Sequence, residues 1–365
     1  MRVEKKVRIP KISVIVPVRP DGEMARAIGA LKKVDYPPEH IEAFASYGFS
    51  PSGQRNQAAE KARGEILYFL DDDAEIEKKT FRRVVEAFSG KSTPVRIPQA
   101  RGFSLLPSWL SNLIIERFFS AIIYKGEIGA VGGPNVWWRD EPFWASMAGI
   151  VLESFFAHSL MAARYRPIGP IHRATEKELI LCNLAVRRDL FKKVGGFNEA
   201  LYPNEENELL NRIEKAGYQL IYHPAALVSR PRREGLGEIL SAFFRYGRGR
   251  MEQMRVEGIW QSLPLLAPLA LFIYLIGLFF YHPWFAFLPL ISYFGMGFGS
   301  ALGFATRRRK PYLANFLPLL FLIAHLSYAV GLLCGLMTDL ERTKRRGRRD
   351  KIRVVKVKEF GKSWI

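Results

Sequence analysis

Hydrophobic positions divide this chain into two parts of different character. In the longer first part, short apolar runs alternate with polar turns and amphipathic segments. In the second part, formally charged side chains are absent from residues 258–306 and again from 311–338. Uncharged stretches of this length are typical of membrane-spanning helices. The pattern predicts a soluble domain over 1–257, a membrane region over 258–338 and a basic tail over 339–365.

The soluble domain shows a regular alternation of strand and helix patterns. The β-branched run 12–18 predicts a first strand, and 41–47 and 65–70 predict two more. Each strand is followed by apolar positions at helical spacing, which predict helices over 23–33, 54–63 and 80–88. This alternation indicates parallel βαβ units and an α/β fold. In open α/β sheets the ligand lies beyond the carboxyl ends of the strands, where this chain places polar residues.

The net charge of the chain indicates an anionic partner. The net charge is +19, from 54 Lys and Arg against 35 Asp and Glu, which is typical of proteins that meet nucleic acid or anionic membranes. Residues 307–365 hold 15 of the basic and 4 of the acidic side chains, so much of the excess lies beside the uncharged segments. The sequence contains no recognition-helix, zinc-spacing or RNP pattern. We therefore expect membrane lipids as partners and no nucleic acid.

Two further features exclude other classes of protein. The two cysteines, Cys182 and Cys334, are too few for a disulfide scaffold or a Cys-rich zinc module. The amino terminus is basic, but the apolar run after it is short and β-branched. This run therefore predicts a strand rather than a signal peptide.

Two carboxylate clusters are the candidate chemistry of the soluble domain. Asp71, Asp72 and Asp73 directly follow the third strand. They are either oxygen ligands for a hard divalent cation or a solvated turn that caps the next helix. Glu205 and Glu206 open a later helix after a GGF turn. They either complement the helix dipole or form a crowded pair whose raised pKa suits a general base.

Three segments together resemble family 2 glycosyltransferases. They are VIVPVRPDGE, ARGEILYFLDDD and the stretch from CNLAVRRDLF to YQLIYHP, in that order within about residues 10–250. The resemblance is to membrane-bound members that assemble exopolysaccharides or lipid-linked glycans, of the succinoglycan glucosyltransferase type. It implies the GT-A fold, a nucleotide-sugar donor, a divalent cation (Mg²⁺ or Mn²⁺) and inversion at the anomeric carbon.

The resemblance also implies which residues surround the donor. The residues that would frame the nucleotide base and supply an acidic group beside it are Pro17, Val18, Arg19, and Asp21 or Glu23. The segment GQRNQA would lie near the nucleotide and diphosphate through Arg55 and Asn56. The segment GGPN, at 132–135, would form the loop under the donor sugar through Gly133 and Asn135.

The reacting groups follow from the same resemblance. Asp71 would face the nucleotide and Asp73 the metal and diphosphate, so both are expected to hold the cation. Glu205 and Glu206 occupy a motif whose second residue is the general base. We therefore expect Glu206 to remove the proton of the acceptor hydroxyl.

The acceptor side and three departures from the family pattern complete the site prediction. RYGRGR, with Arg245, Arg248 and Arg250, lies where related enzymes carry an acceptor-side motif, and a juxtamembrane basic patch is the alternative. The second strand ends in ASYGFSPSG, without the family's Asp-Asp-Gly. The base position holds Glu206 in place of Asp, and Arg230 replaces the His that is common after the final strand.

The membrane region presents a problem of topology. Segments 262–281 and 284–306 can form a hairpin that returns residues 307–310 to the side of the catalytic domain, as the positive-inside rule prefers. A third span over 316–337 would place the basic tail on the opposite side, against that rule. We expect about three spans, with a re-entrant or interfacial third segment as the alternative. The apolar stretch 143–163 contains Glu153 and predicts a protein-packed or interfacial helix.

The sequence thus predicts a multi-pass enzyme of the cell membrane with a cytoplasmic catalytic domain. It would move a sugar from a nucleotide-diphospho-sugar to a lipid-linked or polysaccharide acceptor. A polyprenyl-phosphate sugar synthase is one alternative. A non-catalytic, membrane-anchored nucleotide-binding protein is another, although two carboxylate clusters in one domain favour catalysis.

Overall fold

The computed structural model describes residues 9–90, 126–136, 141–232, 234–340 and 351–364. Its strands are β1 (Ile12–Val18), β2 (Ile41–Tyr47), β3 (Ile66–Phe69), β4 (Glu75–Ile76), β5 (Ile128–Gly132), β6 (Asn135–Val136), β7 (His172–Ala174), β8 (Leu184–Arg187), β9 (Gln219–Tyr222), β10 (Val228–Ser229) and β11 (Arg353–Lys358). Eight of them form one sheet in the order β11-β2-β1-β3-β8-β5-β9-β7, and β4, β10 and β6 form a small second sheet.

The helices pack on both faces of the large sheet and continue beyond it. They are α1 (Ala25–Leu31), α2 (Pro51–Lys61), α3 (Thr80–Phe88), α4 (Phe143–Glu153), α5 (Phe155–His158), α6 (Arg188–Lys193), α7 (Glu205–Lys215), α8 (Leu236–Glu257), α9 (Ala267–Phe280), α10 (Leu288–Arg308) and α11 (Tyr312–Met337). Short 3₁₀ segments precede α9 (Trp260–Leu266) and α10 (Trp284–Phe287) and follow α5 (Ser159–Arg164).

The predicted parallel βαβ units are confirmed in the first part of the chain. β1 pairs in parallel with both β2 and β3, and α1 and α2 lie in the connections. Alternate residues of β1 enter different cores, because Val14 and Val16 pack on one face of the sheet and Ile15 packs on the other. Burial on both faces explains why this strand is a continuous apolar run rather than an alternating one. Further along, β8 pairs antiparallel with both β3 and β5, which the alternation of patterns did not predict.

The stretch 143–163 is a broken helix rather than a single one. α4 ends at Glu153, and the segment Phe155–Arg164 continues at an angle of 68° to it. The Ser154 hydroxyl accepts a hydrogen bond from the backbone N–H of Ala157, so this residue caps the second piece. β6 before the stretch and β7 after it both belong to the soluble domain's sheets. The chain therefore enters and leaves this broken helix from the same domain.

Three helices of the second part are long and apolar enough to span a membrane. They are Ser262–Phe280, Trp284–Arg308 and Tyr312–Met337, with mean hydropathies of 2.4, 1.5 and 2.1. The first two turn large apolar side chains outward, as Phe279 and Trp284 are 80% and 78% exposed. Exposed apolar surface of this extent requires a hydrocarbon environment or a partner.

α11 differs from the other two because it packs along α8, a helix with many charged residues. The two helices run in parallel at very close range: a Cβ on Gly247 of α8 would lie 2.0 Å from the Tyr328 carbonyl oxygen. A Cβ on Gly331 of α11 would lie 2.1 Å from the Phe244 carbonyl oxygen. Glycine at both positions thus allows the two backbones to touch. α11 is consequently attached to the soluble domain over much of its length.

The basic tail contributes a strand to the large sheet. β11 pairs antiparallel with β2 at the sheet edge, and the ammonium group of Lys356 lies 3.1 Å from a carboxylate oxygen of the buried Glu42. The guanidinium of Arg353 lies over the ring of Tyr47. The division with a separate tail over 339–365 therefore needs correction, because residues 351–364 are part of the soluble domain.

Candidate active site

A cavity of about 920 Å³ opens at the carboxyl ends of β1, β2 and β3. Its position follows from the parallel arrangement of these strands, whose ends meet at one edge of the sheet. The side-chain amide of Gln54 donates to the Val18 and Ser46 carbonyl oxygens and so holds the ends of β1 and β2 together. Helix α8 forms the opposite wall of this active-site cavity through Glu238, Ile239, Ala242, Phe243, Arg245 and Tyr246.

The aspartate cluster after β3 lies on the floor of the active-site cavity beside two arginines. Arg55 contacts Asp71 at 3.0 Å, and Arg230 contacts both Asp71 and Asp73 at 2.6 Å. Burial alone would raise the pKa of Asp71, but the charges of Arg230 and Arg55 hold this pKa below its ordinary value. Asp71 is therefore an anion at neutral pH, held between two cations.

The glutamate pair opens α7 on the other side of the same cavity. Asn204 has a left-handed backbone (φ 86°) and starts the helix, so Glu205 and Glu206 lie in its first turn. Arg55 contacts Glu205 at 3.2 Å and so joins the glutamate pair to Asp71. Burial and the neighbouring charge of Glu206 raise the pKa of Glu205 to about 8. Glu205 therefore holds a proton more tightly than an ordinary glutamate does. Its neighbour Glu206 contacts a second arginine.

That second arginine is Arg164, which the sequence analysis did not identify. Its guanidinium contacts Glu206 at 3.4 Å, while its other N–H groups donate to the main-chain carbonyls of Lys177 at 2.8 Å and Glu176 at 2.6 Å. These bonds fix the guanidinium against Glu206. An arginine directly after the apolar stretch 143–163 was the only signal in the sequence.

Most residues that the sequence analysis assigned to the donor line this cavity. Those that line it are Pro17, Val18, Arg19, Arg55, Asp71, Asp73, Asn135, Glu205 and Glu206, together with Arg245 from the acceptor-side segment. The exposed aromatic Phe49, at the end of β2, lies on the cavity wall where the family carries its Asp-Asp-Gly. This ring offers a stacking surface in place of a carboxylate.

Four of the predicted donor residues lie outside the cavity. Asp21 and Glu23 are exposed on the turn after β1. The side chain of Asn56 bonds the backbone N–H and carbonyl of Phe197, both at 2.9 Å, and so holds the GGF turn. A Cβ on Gly133 would lie 2.0 Å from the Ala226 carbonyl oxygen, so this glycine permits a close backbone contact. The geometry gives Asn56 and Gly133 structural tasks.

Two of the three acceptor-side arginines also point away from the cavity. Arg250 is 2% exposed and contacts Glu176 at 3.1 Å inside the protein. Arg248 contacts Glu252 at 3.2 Å and donates to the Tyr202 carbonyl at 3.0 Å. Arg245 alone of the three lines the cavity, because the contacts of Arg248 and Arg250 hold their guanidiniums elsewhere.

The aspartate cluster fits a divalent cation only if a bound diphosphate supplies further oxygen ligands. Within the parts of the chain that the structure describes, no group of three or more His, Cys, Asp or Glu side chains is arranged to hold a metal ion. Asp71 and Asp73 do share one guanidinium, so their carboxylates face a common point. Mg²⁺ commonly takes one or two carboxylates and completes its shell with water and substrate phosphates. The pair therefore fits a divalent cation that a bound diphosphate shares.

Comparison with known proteins places the chain in context. Residues 38–137 match the model of the family "Glycosyl transferase family 2". The succinoglycan biosynthesis protein ExoA of Rhizobium meliloti (strain 1021) is 31% identical over 152 residues, which are 40% of this chain and 44% of that protein. The match thus spans less than half the length of this relative.

A solved structure shows the same architecture over nearly the whole chain. The mannosyltransferase PcManGT from Pyrobaculum calidifontis, in complex with GDP-Man and Mn²⁺, superposes with a TM-score of 0.50 and 16% sequence identity. The superposition covers 90% of this chain and 88% of that one. At this identity the likeness concerns the fold alone. The family match, the relative and the shared fold together confirm that this chain resembles the family 2 glycosyltransferases, with a GT-A fold followed by helices long and apolar enough to span a membrane.

Proposed function

We propose that this protein is a membrane-bound, inverting glycosyltransferase that moves a sugar from a nucleotide-diphospho-sugar to a lipid-linked glycan. The observation that carries the proposal is the arrangement of the two carboxylate clusters across one cavity. Arg55 contacts Asp71 and Glu205 at once, so the groups that would meet the leaving group and the acceptor are held in one network. A protein that only bound nucleotides would have no use for the buried glutamates.

The donor is expected to lie with its base between β1 and β2. Pro17, Val18 and Arg19 line that end of the cavity, and Phe49 supplies an aromatic face for the base. The diphosphate then reaches Asp73 and Arg230. A divalent cation held there by Asp71 and Asp73 would neutralise the charge of the leaving diphosphate. The two guanidiniums of Arg55 and Arg230 supply further positive charge at the same place.

The reaction in this geometry is a single displacement. The acceptor hydroxyl oxygen forms a bond to the anomeric carbon, while the bond from that carbon to the diphosphate oxygen breaks. Glu206 takes the hydroxyl proton, and the nucleoside diphosphate leaves with the bonding electron pair. Attack opposite the leaving group inverts the anomeric centre. Arg164 acts as a positioning residue, because it fixes the carboxylate of Glu206 without meeting the reacting atoms.

The glutamate pair also favours one acceptor class over another. A phosphate acceptor, as in a polyprenyl-phosphate sugar synthase, is already ionised at neutral pH and needs no base. The buried carboxylate of Glu206 next to it would repel it. A sugar hydroxyl, in contrast, must lose its proton. We therefore propose a hydroxyl of a lipid-linked glycan as the acceptor.

The direct test uses membranes that contain the full-length protein. They are incubated with a panel of nucleotide sugars, and the release of nucleoside diphosphate is measured. One donor should be turned over much faster than in membranes with the Glu206→Gln variant. Equal release from every donor in both membranes would contradict the proposal.

We propose further that only α9 and α10 cross the membrane, with the catalytic domain in the cytoplasm. β10 and β11 both belong to the soluble domain's sheets, so the chain between them crosses an even number of times. α9 and α10 expose their apolar side chains, whereas α11 is attached to α8. Arg308 at the end of α10 contacts Glu153 at 3.2 Å, which returns the hairpin to the catalytic side. Nucleotide sugars are usually cytoplasmic, and the positive-inside rule places 307–310 there as well.

Single cysteines test this topology. In a background with Cys334→Ser, we expect Ser363→Cys in the tail and Ser89→Cys in the soluble domain to react with a membrane-impermeant maleimide from the same side. His282→Cys, in the turn of the α9–α10 hairpin, should react only from the other side. Labelling of positions 282 and 363 from one side, with 89 on the opposite side, would contradict the two-span arrangement and support three spans.

A further inference from the structure

A second cavity, of about 260 Å³, lies where the soluble domain meets the membrane helices. Its walls come from α5, α8, the 3₁₀ segment before α9, and the three long apolar helices. They are formed mainly by hydrocarbon and aromatic groups, among them Phe243, Leu265, Leu271, Tyr293 and Tyr328. We refer to it as the apolar cavity.

The apolar cavity adjoins the active-site cavity through one layer of rings. Phe243 lines both. His158, which lines the apolar cavity, stacks on Tyr165 and Tyr246 with ring centroids 5.5 and 6.2 Å apart. Tyr165 and Tyr246 in turn line the active-site cavity. Tyr165 directly follows Arg164, the residue that contacts Glu206. The apolar walls are therefore separated from the arginine beside the glutamate pair by this ring layer alone.

The apolar cavity also reaches the surface at the level where the first span begins. Pro264 and Ala267 line it and are exposed on the outside of the protein. They lie in the Ser262–Phe280 segment, and nearby Trp260 is 82% exposed. Tryptophan is enriched at the boundary between hydrocarbon and headgroups. The opening thus faces the zone where lipid chains meet their headgroups.

The two cavities differ in the polarity of their walls. The apolar cavity has few polar groups, whereas Arg245 and Arg164 line the active-site cavity beyond the ring layer. A ligand that matches both cavities is apolar at the end near the membrane helices and anionic at the end near the arginines. This combination describes a hydrocarbon chain that carries phosphate groups and, beyond them, a sugar.

From this adjacency we infer that the apolar cavity binds the hydrocarbon chain of the lipid-linked acceptor, in the part nearest its phosphate groups. The inference rests on the proposed function, since it concerns the acceptor of that same reaction. The occupant is the acceptor lipid rather than a bilayer phospholipid, because only a lipid whose headgroup enters the active-site cavity uses both cavities. The chain already lies in hydrocarbon before it binds, so the cavity adds affinity through the packing of its walls on the chain. A chain too short to fill the apolar cavity should therefore bind more weakly.

The test measures lipid binding separately from turnover. Full-length protein in nanodiscs is photo-crosslinked to a benzophenone-tagged long-chain polyprenyl diphosphate and to a short-chain analogue. Leu271→Trp fills the apolar cavity, and Ile273→Trp places the same ring on the exposed face of the same helix as a matched control. We expect Leu271→Trp to weaken crosslinking of the long-chain probe by about tenfold, because the larger ring takes up the space that the chain would fill. The short-chain probe, the control variant and donor turnover with a water-soluble acceptor should be unchanged.

Three outcomes would overturn the inference: equal loss in both tryptophan variants, equal loss for both probes, or displacement of the long-chain probe by bilayer phospholipid at equal concentration. Ala267→Phe, at the mouth of the cavity, replaces Leu271→Trp if that variant does not fold. Chain-length-dependent crosslinking without turnover of any nucleotide sugar would leave the lipid site standing and reject the glycosyltransferase. Turnover of a nucleotide sugar without any effect of chain length on crosslinking would support the glycosyltransferase and reject the lipid site.

Discussion

Replacement of Glu206 by Gln should lower turnover by on the order of 10²–10⁴-fold while leaving donor affinity nearly unchanged. The amide keeps the volume of the side chain but cannot take the acceptor proton. Glu206 is the expected base because it is the second residue of the glutamate motif and because Arg164 holds its carboxylate in the active-site cavity. The measurement is the initial rate of nucleoside diphosphate release at saturating donor, together with the donor's dissociation constant.

Two variants on the same helix serve as controls for that result. Glu208→Gln, in the same first turn but paired with Arg212 at 2.6 Å, should leave turnover intact because it does not line the cavity. If Glu205→Gln carries the loss instead, the base is Glu205. If neither Glu205→Gln nor Glu206→Gln reduces turnover, the acceptor side of the proposal is wrong.

Replacement of Asp73 by Asn should remove metal-dependent donor binding and lower turnover by about 100-fold or more. The change keeps the shape of the side chain but removes one of the two carboxylates that share the Arg230 guanidinium. Without it, a divalent cation has only Asp71 to bind besides the diphosphate. Donor affinity is measured with and without Mn²⁺ or Mg²⁺, for the wild type and the variant.

Asp72→Asn is the matched control for this second prediction, because it removes a carboxylate one residue away while Arg230 keeps both of its partners. It should retain the response to metal. Full activity of the wild type in EDTA would show that Arg55 and Arg230 neutralise the diphosphate without a cation. Unchanged metal dependence in Asp73→Asn would move the cation away from the aspartate cluster.

The fold of the first part could be read from the sequence because its signals are local. β1 is rich in β-branched residues and β2 is a weaker apolar run, and the predicted bounds of both agree with the structure. The clusters at Asp71 and Glu205 were found because several carboxylates directly follow a strand or open a helix. In an α/β fold the carboxyl ends of the strands and the starts of the following helices lie at one edge of the sheet. Residues at these points of the sequence could therefore be expected to share one cavity.

Residues that depend on long-range packing could not be predicted in this way. Arg164 reaches Glu206 only because the broken helix before it turns back towards the sheet. Arg250 belongs to a basic motif, yet its orientation on α8 buries it beside Glu176. Strand β11 alternates valine and lysine, a pattern that fits an edge strand, but its charges and its place after the apolar helices suggested a free tail. Its partner β2 lies some 300 residues earlier.

The most direct test of the whole account follows the sugar itself. Purified full-length protein, reconstituted with lipids extracted from its own membranes, is given the radiolabelled donor identified in the panel. We expect label in the organic-extractable lipid fraction, nucleoside diphosphate in equal amount, and loss of both in Glu206→Gln. Label that appears only as free sugar, or that reaches lipid equally fast in the wild type and the variant, would contradict it.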